Sequence, residues 1–346
     1  MKESWNRLYH LSLLHFKLIL RDKMTIFWFL AFPLIFTVLF GFVVPNVGNQ
    51  NKIIIVSENV TDQNNSLIDK LSSIPNTEWE SNLQPKDAIQ QFSNGYLAMV
   101  IIIKKDEVHL HYLNERDEKL VLIISDLVER DNSKYTLKLE SYNNIHLIEP
   151  IDFILPGMIA LTIMQIGLFG GTSLLMDRNA QILRRLKTNG VKASEIIMSH
   201  IFSRIFLVLL STVLLIIFGK FILGASVYLS QWYILIPLLL ISSFCFLSIG
   251  LLIASVFRSP EAGNIFAQAI NFPMAFACGV FFPQAILPEF LQNITETLPL
   301  THLVETTRNL FLNIDISGDQ MLLTVGILMG WGILCLVIGS KLFKWE

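Results

Sequence analysis

Six stretches of this chain are long enough to cross a bilayer and nearly free of charge. A hydrocarbon core of about 30 Å takes roughly 20 helical residues. Residues 25–44, 153–176, 233–257, 264–283 and 320–340 contain no Asp, Glu, Lys or Arg, and 201–223 contains only Arg204 and Lys220, near its two ends. A helix closes its own backbone hydrogen bonds, which lipid cannot do for it, so these runs read as spanning helices. Arg204 and Lys220 are expected to snorkel, leaving the uncharged centre 205–219 in the lipid. The fifth run is the most polar of the six, with Asn264, Gln268, Asn271 and Pro273. Hydrophobic residues make up 53% of the chain and charged ones 16%, which excludes a disordered polymer. A net charge of −2 argues against a nucleic-acid-binding face. Cys245, Cys278 and Cys335 all lie inside apolar runs, with neither a disulfide framework nor zinc-ligand spacing.

The residues between the first two runs, 45–150, are different in kind, with 16 acidic and 10 basic side chains. They are numerous enough for a water-soluble domain. Lys52–Ser57 and Tyr96–Lys104 read as buried strands and His109–Leu113 as a short alternating one. Ser66–Ser72 and Lys86–Phe92 read as short helices, and a helical pattern runs from Asp117 to Tyr142. The expected fold is an α-helical polytopic membrane protein: six transmembrane helices, with an α/β or α+β extracytoplasmic domain inserted between the first and second. Its parts are an amphipathic interfacial helix over 1–24, a first span over 25–44, the inserted domain over 45–150, and five spans within 151–346. Residues 1–24 interleave Trp5, Leu8, Tyr9, Phe16 and Ile19 with Lys2, Arg7, Lys17, Arg21 and Lys23, which suits the membrane interface.

Lys and Arg in short flanks set orientation. Five lie before the first run and five in the loop 177–200 (Arg178, Arg184, Arg185, Lys187, Lys192), against none in 224–232 and only Arg308 in 284–319. Both termini and the 177–199 loop are therefore expected in the cytoplasm, and the inserted domain and the 284–312 loop outside. The latter is apolar for a solvent loop and broken by Pro283, Pro288 and Pro299. Leu287, Phe290, Leu291 and Ile294 have helical spacing, so it reads as a re-entrant helix, a break at Pro299, and a second helix through Arg308.

The sequence contains no phosphate-cradling G-x-x-x-x-G-K-[ST] loop. The spans hold no acidic residue at their centres, whereas ion-coupled carriers generally place one there. Energy for any transport would have to come from a partner. His109 and His111 share a strand face, which is half a metal site or an ordinary surface pair. Gly326-x-x-x-Gly330 is a helix-packing motif, serving either one bundle or a dimer seam; Gly167, Gly170, Gly171 and Gly250 are similar. In the 177–199 loop, Ile182, Leu183 and Leu186 form an apolar stripe opposite basic residues. That pattern reads either as an ordinary cytosolic loop or as a knob that docks in a partner's groove.

Several of these pieces together resemble the permease subunit of the ABC type-2 transporter family, in its exporter branch with a large outer domain after the first span. The most specific stretch is Phe281–Arg308, with Phe281-Phe282-Pro283, Leu287-Pro288 and Leu298-Pro299-Leu300-Thr301-His302. Arg21-Asp22, Phe32-Pro33-Leu34 and Leu155-Pro156-Gly157 support it. The 177–199 loop is similar to the family's ATPase-coupling segment on Asp177, Arg178, Leu183, Leu186 and Gly190, and Arg184, Arg185 and Lys187 are expected to join them in contacting the ATPase. The loop departs from the family at Asn179, Gln181 and Arg184, where an acid, Gly and Glu are common.

The resemblance implies two ABC ATPase subunits as partners, a second permease copy or a related permease, and membrane lipid around them. ATP and Mg would bind the partner ATPase and no cofactor this chain. It further implies a multi-pass protein of a bacterial cell membrane that exports a hydrophobic or amphipathic compound such as an antibiotic, drug or lipid. A substrate path is expected between two permeases, along the second and fifth spans. The competing expectation is a membrane-anchored receptor or envelope scaffold working through its extracytoplasmic domain.

Overall fold

The computed structural model describes residues 2–43, 49–57, 62–72, 74, 77–80, 83–93, 97–104, 107–113, 118–130, 135–142, 150–182, 185, 188, 191, 193–228, 230–282, 284 and 287–342. The chain divides into two compact units, one of residues 1–43 and 151–346 and one of residues 44–150. In chain order the helices are α1 (Lys2–Arg21), α2 (Lys23–Ile26), α3 (Phe32–Val43), α4 (Asp62–Ser72), α5 (Pro85–Ser93), α6 (Glu118–Arg130), α7 (Pro150–Asn179), α8 (Ala193–Phe221), α9 (Trp232–Val256), α10 (Pro260–Ala277), α11 (Glu289–Thr295), α12 (Pro299–Phe311) and α13 (Gly318–Leu342).

The 44–150 unit is built on five strands, β1 (Asn49–Ser57), β2 (Thr77–Trp79), β3 (Leu97–Ile103), β4 (Glu107–Leu113) and β5 (Thr136–Tyr142), in the order β2-β1-β3-β4-β5. All neighbours are parallel except β3 and β4. All seven residues of β3 are buried, which is why its sequence is continuously apolar rather than alternating. On β1 the alternation appears in the packing. Ile53 and Ile55 join Leu67 and Leu71 of α4 and Ile124 and Val128 of α6. Ile54 and Val56 join Ala88 and Phe92 of α5. The helical pattern expected to continue to Tyr142 ends at Arg130, and Thr136–Tyr142 is an edge strand. Most of that strand is exposed, so no apolar stripe announces it in the sequence.

In the helical unit, α7, α8, α9 and α13 are long and apolar enough to cross a membrane. The other two apolar runs are built differently. Residues 23–43 form α2, a π-helical turn (Phe27–Ala31) and α3 rather than one uniform helix. Pro33 explains the turn: it has no N–H to give and its ring crowds the carbonyl of Phe29. The ladder widens there, and the Phe32 N–H reaches the Phe27 carbonyl five residues back. The fifth run yields α10, only 18 residues or about 27 Å long.

Helix α7 is the axis of this unit, with 94% of its apolar window buried against 22% for α13. Its glycines permit the close approach. A Cβ on Gly171 would lie 1.8 Å from the Gly250 carbonyl oxygen of α9, and one on Gly250 would lie 2.2 Å from that of Gly167. The pair Gly326 and Gly330 does not act this way. A Cβ on either would meet nothing within 4 Å among the described residues; α13 packs through Gly332 against Phe244 and through Gly339 against Leu252. Small residues do carry the packing of α13, but on a different face from the one the Gly326-x-x-x-Gly330 spacing marks.

Candidate functional site

Polar groups gather at two places in the helical unit. The first fastens the motif of residues 281–308. Arg308 on α12 is buried and donates to the carbonyls of Phe153 (3.2 Å from Nη2) and Gly279 (2.8 Å), with its guanidinium 3.6 Å above the Phe153 ring. Gly157 lets α7 approach this turn, since a Cβ there would lie 2.6 Å from the Val280 carbonyl oxygen. Thr301 donates to the Thr295 carbonyl (2.6 Å) and accepts from Gln284 (3.2 Å), closing the α11–α12 break. Phe290 and Ile294 of α11 remain exposed.

The second is a partly open cavity of about 560 Å³ bordered by α1, the π turn and its flanks, α7, α8 and α10. Its lining includes the aromatic side chains of Trp28, Phe29, Phe32, Phe169 and Phe272 and the polar ones of His15, Gln165, Asp177, His200, Arg204 and Asn271. Asn264, Gln268 and Asn271, which make the fifth run the most polar of the six, all line this cavity. Arg204 does not snorkel. It is buried and donates from Nη2 to Ser173 Oγ at 2.7 Å. Gln165 Oε1, Asn271 Oδ1, Arg204 Nε and His200 Nε2 are buried atoms with no hydrogen-bond partner among the described residues. Leaving such a group unpaired costs about 1–3 kcal/mol. All four residues line this cavity, where water or an entering polar group can meet them.

Beside this cavity α1 packs on α8. The His15 and His200 rings stack with centroids 4.0 Å apart, and Phe16 meets Phe206 edge-on at 4.6 Å. Burial first, and then the neighbouring His200, pushes the His15 imidazole down to about 4, so it is neutral at physiological pH. His200 Nε2 lies 3.1 Å from Asp177 Oδ2, though too poorly aligned for a hydrogen bond. Neither histidine stands out in the sequence, because each sits among other polar residues of its helix and 184 positions separate His15 from the Ser199 it bonds.

Of the residues expected to contact an ATPase, Leu183, Arg184, Leu186, Lys187 and Gly190 lie outside the described residues. Arg185 is exposed. Asp177 and Arg178 turn inward. Arg178 donates to the carbonyls of Phe257 (2.9 Å) and Ala254 (3.4 Å), at a helix end whose last carbonyls have no intrahelical partner. That cation at the α9 C-terminus also complements the helix dipole. In the other unit, His109 lies between Glu107 (3.1 Å) and Glu140 (3.6 Å), and His111 is buried against Tyr142 and Glu140, so this pair is partnered rather than a bare surface.

A family model described as ABC-2 family transporter protein matches residues 23–341. The chain is 27% identical over 109 residues to Nodulation protein J of Bradyrhizobium diazoefficiens, covering 32% of this chain and 41% of that protein. It is 25% identical over 191 residues to ABC transporter G family member 20 of Dictyostelium discoideum, covering 54% of this chain and 26% of that protein. The matches thus span less than half the length of either relative.

Proposed function

The chain belongs to the ABC-2 family of transporter proteins, and on that premise we propose that it is the transmembrane subunit of an ATP-driven exporter of amphipathic compounds. The observation that carries this reading is the cavity between α1, α7, α8 and α10. Its aromatic side chains suit an apolar body, and its amides and Arg204 suit a polar or anionic group. The chain has no nucleotide-binding loop of its own, so ATP and Mg would be held by two separate ATPase subunits. A second permease copy would complete the path.

In this reading six segments cross a bacterial cell membrane, with α2–α3 and α10 completing the set. Both termini and the 177–199 loop are cytoplasmic, and the 44–150 unit is extracytoplasmic. The excess of Lys and Arg before residue 25 and in 177–200 supports that orientation. The loop would then transmit ATPase motion, with Leu183 and Leu186 as apolar anchors and Arg184, Arg185 and Lys187 at the rim.

Purification of the tagged chain in mild detergent from its own host tests the proposal. A co-purifying ABC ATPase with vanadate-sensitive hydrolysis is the expected result. A monodisperse chain without any P-loop ATPase, retaining its cellular effect, overturns it in favour of a receptor or scaffold.

A further inference from the structure

Three side chains next to the cavity form a cluster that the transport reading does not use. One ligand atom each from His15 on α1, Asp177 near the end of α7 and His200 on α8 all lie within 4.8 Å of one another. We propose that these three bind a divalent transition ion, with Zn²⁺ the best match, and clasp α1 to the two helices that flank residues 180–192.

Ser199 Oγ lies 2.7 Å from the Ile196 carbonyl and 3.1 Å from His15 Nδ1. In the tautomer with the proton on Nδ1, the hydroxyl accepts from His15 while donating to the carbonyl, and Nε2 is a bare lone pair. This is the arrangement metal-ligating histidines use, the second ring N–H being held by an outer acceptor that orients the ring. His200 Nε2 is buried and lacks a directed hydrogen bond, although Asp177 Oδ2 is 3.1 Å away. A nitrogen and a carboxylate oxygen facing each other without a well-aligned proton between them form two sides of a coordination shell.

The ligand chemistry selects the class of ion. Two imidazoles and one carboxylate are borderline donors that suit Zn²⁺ and its neighbours, whereas Ca²⁺ and Mg²⁺ take oxygen sets. Tetrahedral ligation at about 2.0–2.1 Å brings ligand atoms to roughly 3.4 Å apart. The cluster would contract by up to about 1.4 Å from its widest separation, within reach of side-chain rotation. His15, Asp177 and His200 all line the cavity, so the fourth position opens toward it and takes water or a donor atom of an incoming molecule. Because the three ligands come from three helices, the ion would hold α1 in place on α7 and α8.

The test uses the full-length chain in nanodiscs, stripped with chelator and titrated with Co²⁺. The expected result is one saturable equivalent with the visible bands of tetrahedral Co²⁺, displaced by Zn²⁺. His15→Ala and His200→Ala should each abolish it. Ser199→Ala should weaken it by roughly 10–100-fold, as expected for loss of an outer-sphere partner. His109→Ala with His111→Ala should leave it intact. X-ray absorption on the Zn²⁺-loaded wild-type protein reads the ligand set without any variant, and two imidazoles are expected. Absence of saturable binding, binding retained in His15→Ala or His200→Ala, or a Zn²⁺ shell without imidazole overturns the proposal.

Discussion

In the 44–150 unit the fully buried side chains are nearly all apolar, as at Ile55, Leu67, Phe92, Met99 and Ile101, and the Lys138–Glu107 pair lies at the surface. In the helical unit Asp152, Glu195, Arg204, Asn271 and Arg308 are buried, while Phe206, Ile217, Phe221, Ile265 and Leu322 are exposed. The inversion follows from the solvent each unit is composed for. In water, burial of apolar surface drives folding. Lipid is as apolar as leucine, so helices associate through close packing of small residues and through polar contacts turned inward. A buried polar group is therefore ordinary in the helical unit, and its partners separate fasteners from sites. Arg308 is fully engaged by carbonyls and acts as a fastener. The atoms of Gln165, Arg204, Asn271 and His200 that lack a hydrogen bond among the described residues belong to residues lining one cavity.

The largest effect is expected where small residues carry the packing. Gly171→Val or Gly250→Val drives a side chain into backbone that cannot yield, and either should cost more than about 4 kcal/mol. The expected outcome is loss of monodisperse protein on gel filtration in detergent; normal yield and thermal unfolding would refute the α7–α9 seam. Arg308→Ala comes next. It removes charged hydrogen bonds to the Phe153 and Gly279 carbonyls and should cost about 3 kcal/mol, read as a lower unfolding temperature. Arg308→Lys should recover only part of this, because an ammonium cannot reproduce the planar fork.

The coupling segment tests the proposed partner rather than the fold. Leu183→Ala with Leu186→Ala should leave insertion normal yet cost about 2 kcal/mol or more of ATPase affinity, the amount typical of truncating a buried anchor. The measurement is the amount of ATPase retained through purification, together with export. Wild-type levels of both would remove the 177–199 loop from the coupling role.

Legibility in the sequence divides along the same line. The long apolar runs mark α7, α8, α9 and α13, because a soluble core helix seldom stays uniformly apolar over a bilayer's thickness. The π turn is not legible, since Pro33 perturbs the ladder without interrupting the hydropathy. Strands β1 and β3 are legible as continuous apolar runs, while β5, largely exposed at an edge, resembles the tail of α6. At the site, Asn264, Gln268 and Asn271 are visible as polar positions in an apolar run and Arg204 as a charge in one. The cavity they share is not visible, because it forms only when α1, α7, α8 and α10 converge. His15 and His200 meet through that convergence alone.

Among the described residues of the sheet unit His111 is the exception, a buried polar ring, and it makes the unit's stability depend on pH. Burial holds its imidazole below the usual 6.5, opposed by Glu140 and reinforced by His109 and Lys104, with the Tyr142 hydroxyl 3.3 Å away. The folded state thus keeps His111 neutral where the unfolded chain would protonate it. Its contribution is fully present above about 6.5 and declines as pH falls below that value toward the folded pKa. Glu107 acts in the same direction at lower pH. Hydrogen bonds from Lys138 and then His109 hold its carboxyl below the usual range, and that stabilisation is lost as pH falls through it. A 46–148 fragment should unfold cooperatively, with a midpoint in urea that falls between pH 7 and pH 5. His111→Gln should flatten that slope. A midpoint independent of pH, or an unchanged slope in the variant, would show that His111 does not titrate with unfolding.

The smallest effect is expected at Gly326 and Gly330. Both positions on α13 are exposed, with space for a side chain, so Gly326→Val and Gly330→Val should change the stability of a single chain by no more than about 0.5 kcal/mol. The contrast with Gly171→Val would establish that glycine counts for packing only where another backbone faces it. The same pair of variants also probes the assembly. If the open face of α13 meets a second permease copy, a valine there would obstruct a close helix–helix approach while leaving each chain folded. Native mass spectrometry in detergent should then show fewer dimers with an unchanged monomer unfolding temperature. Dimers at the wild-type level in both variants would move the seam elsewhere and leave Gly326 and Gly330 facing lipid.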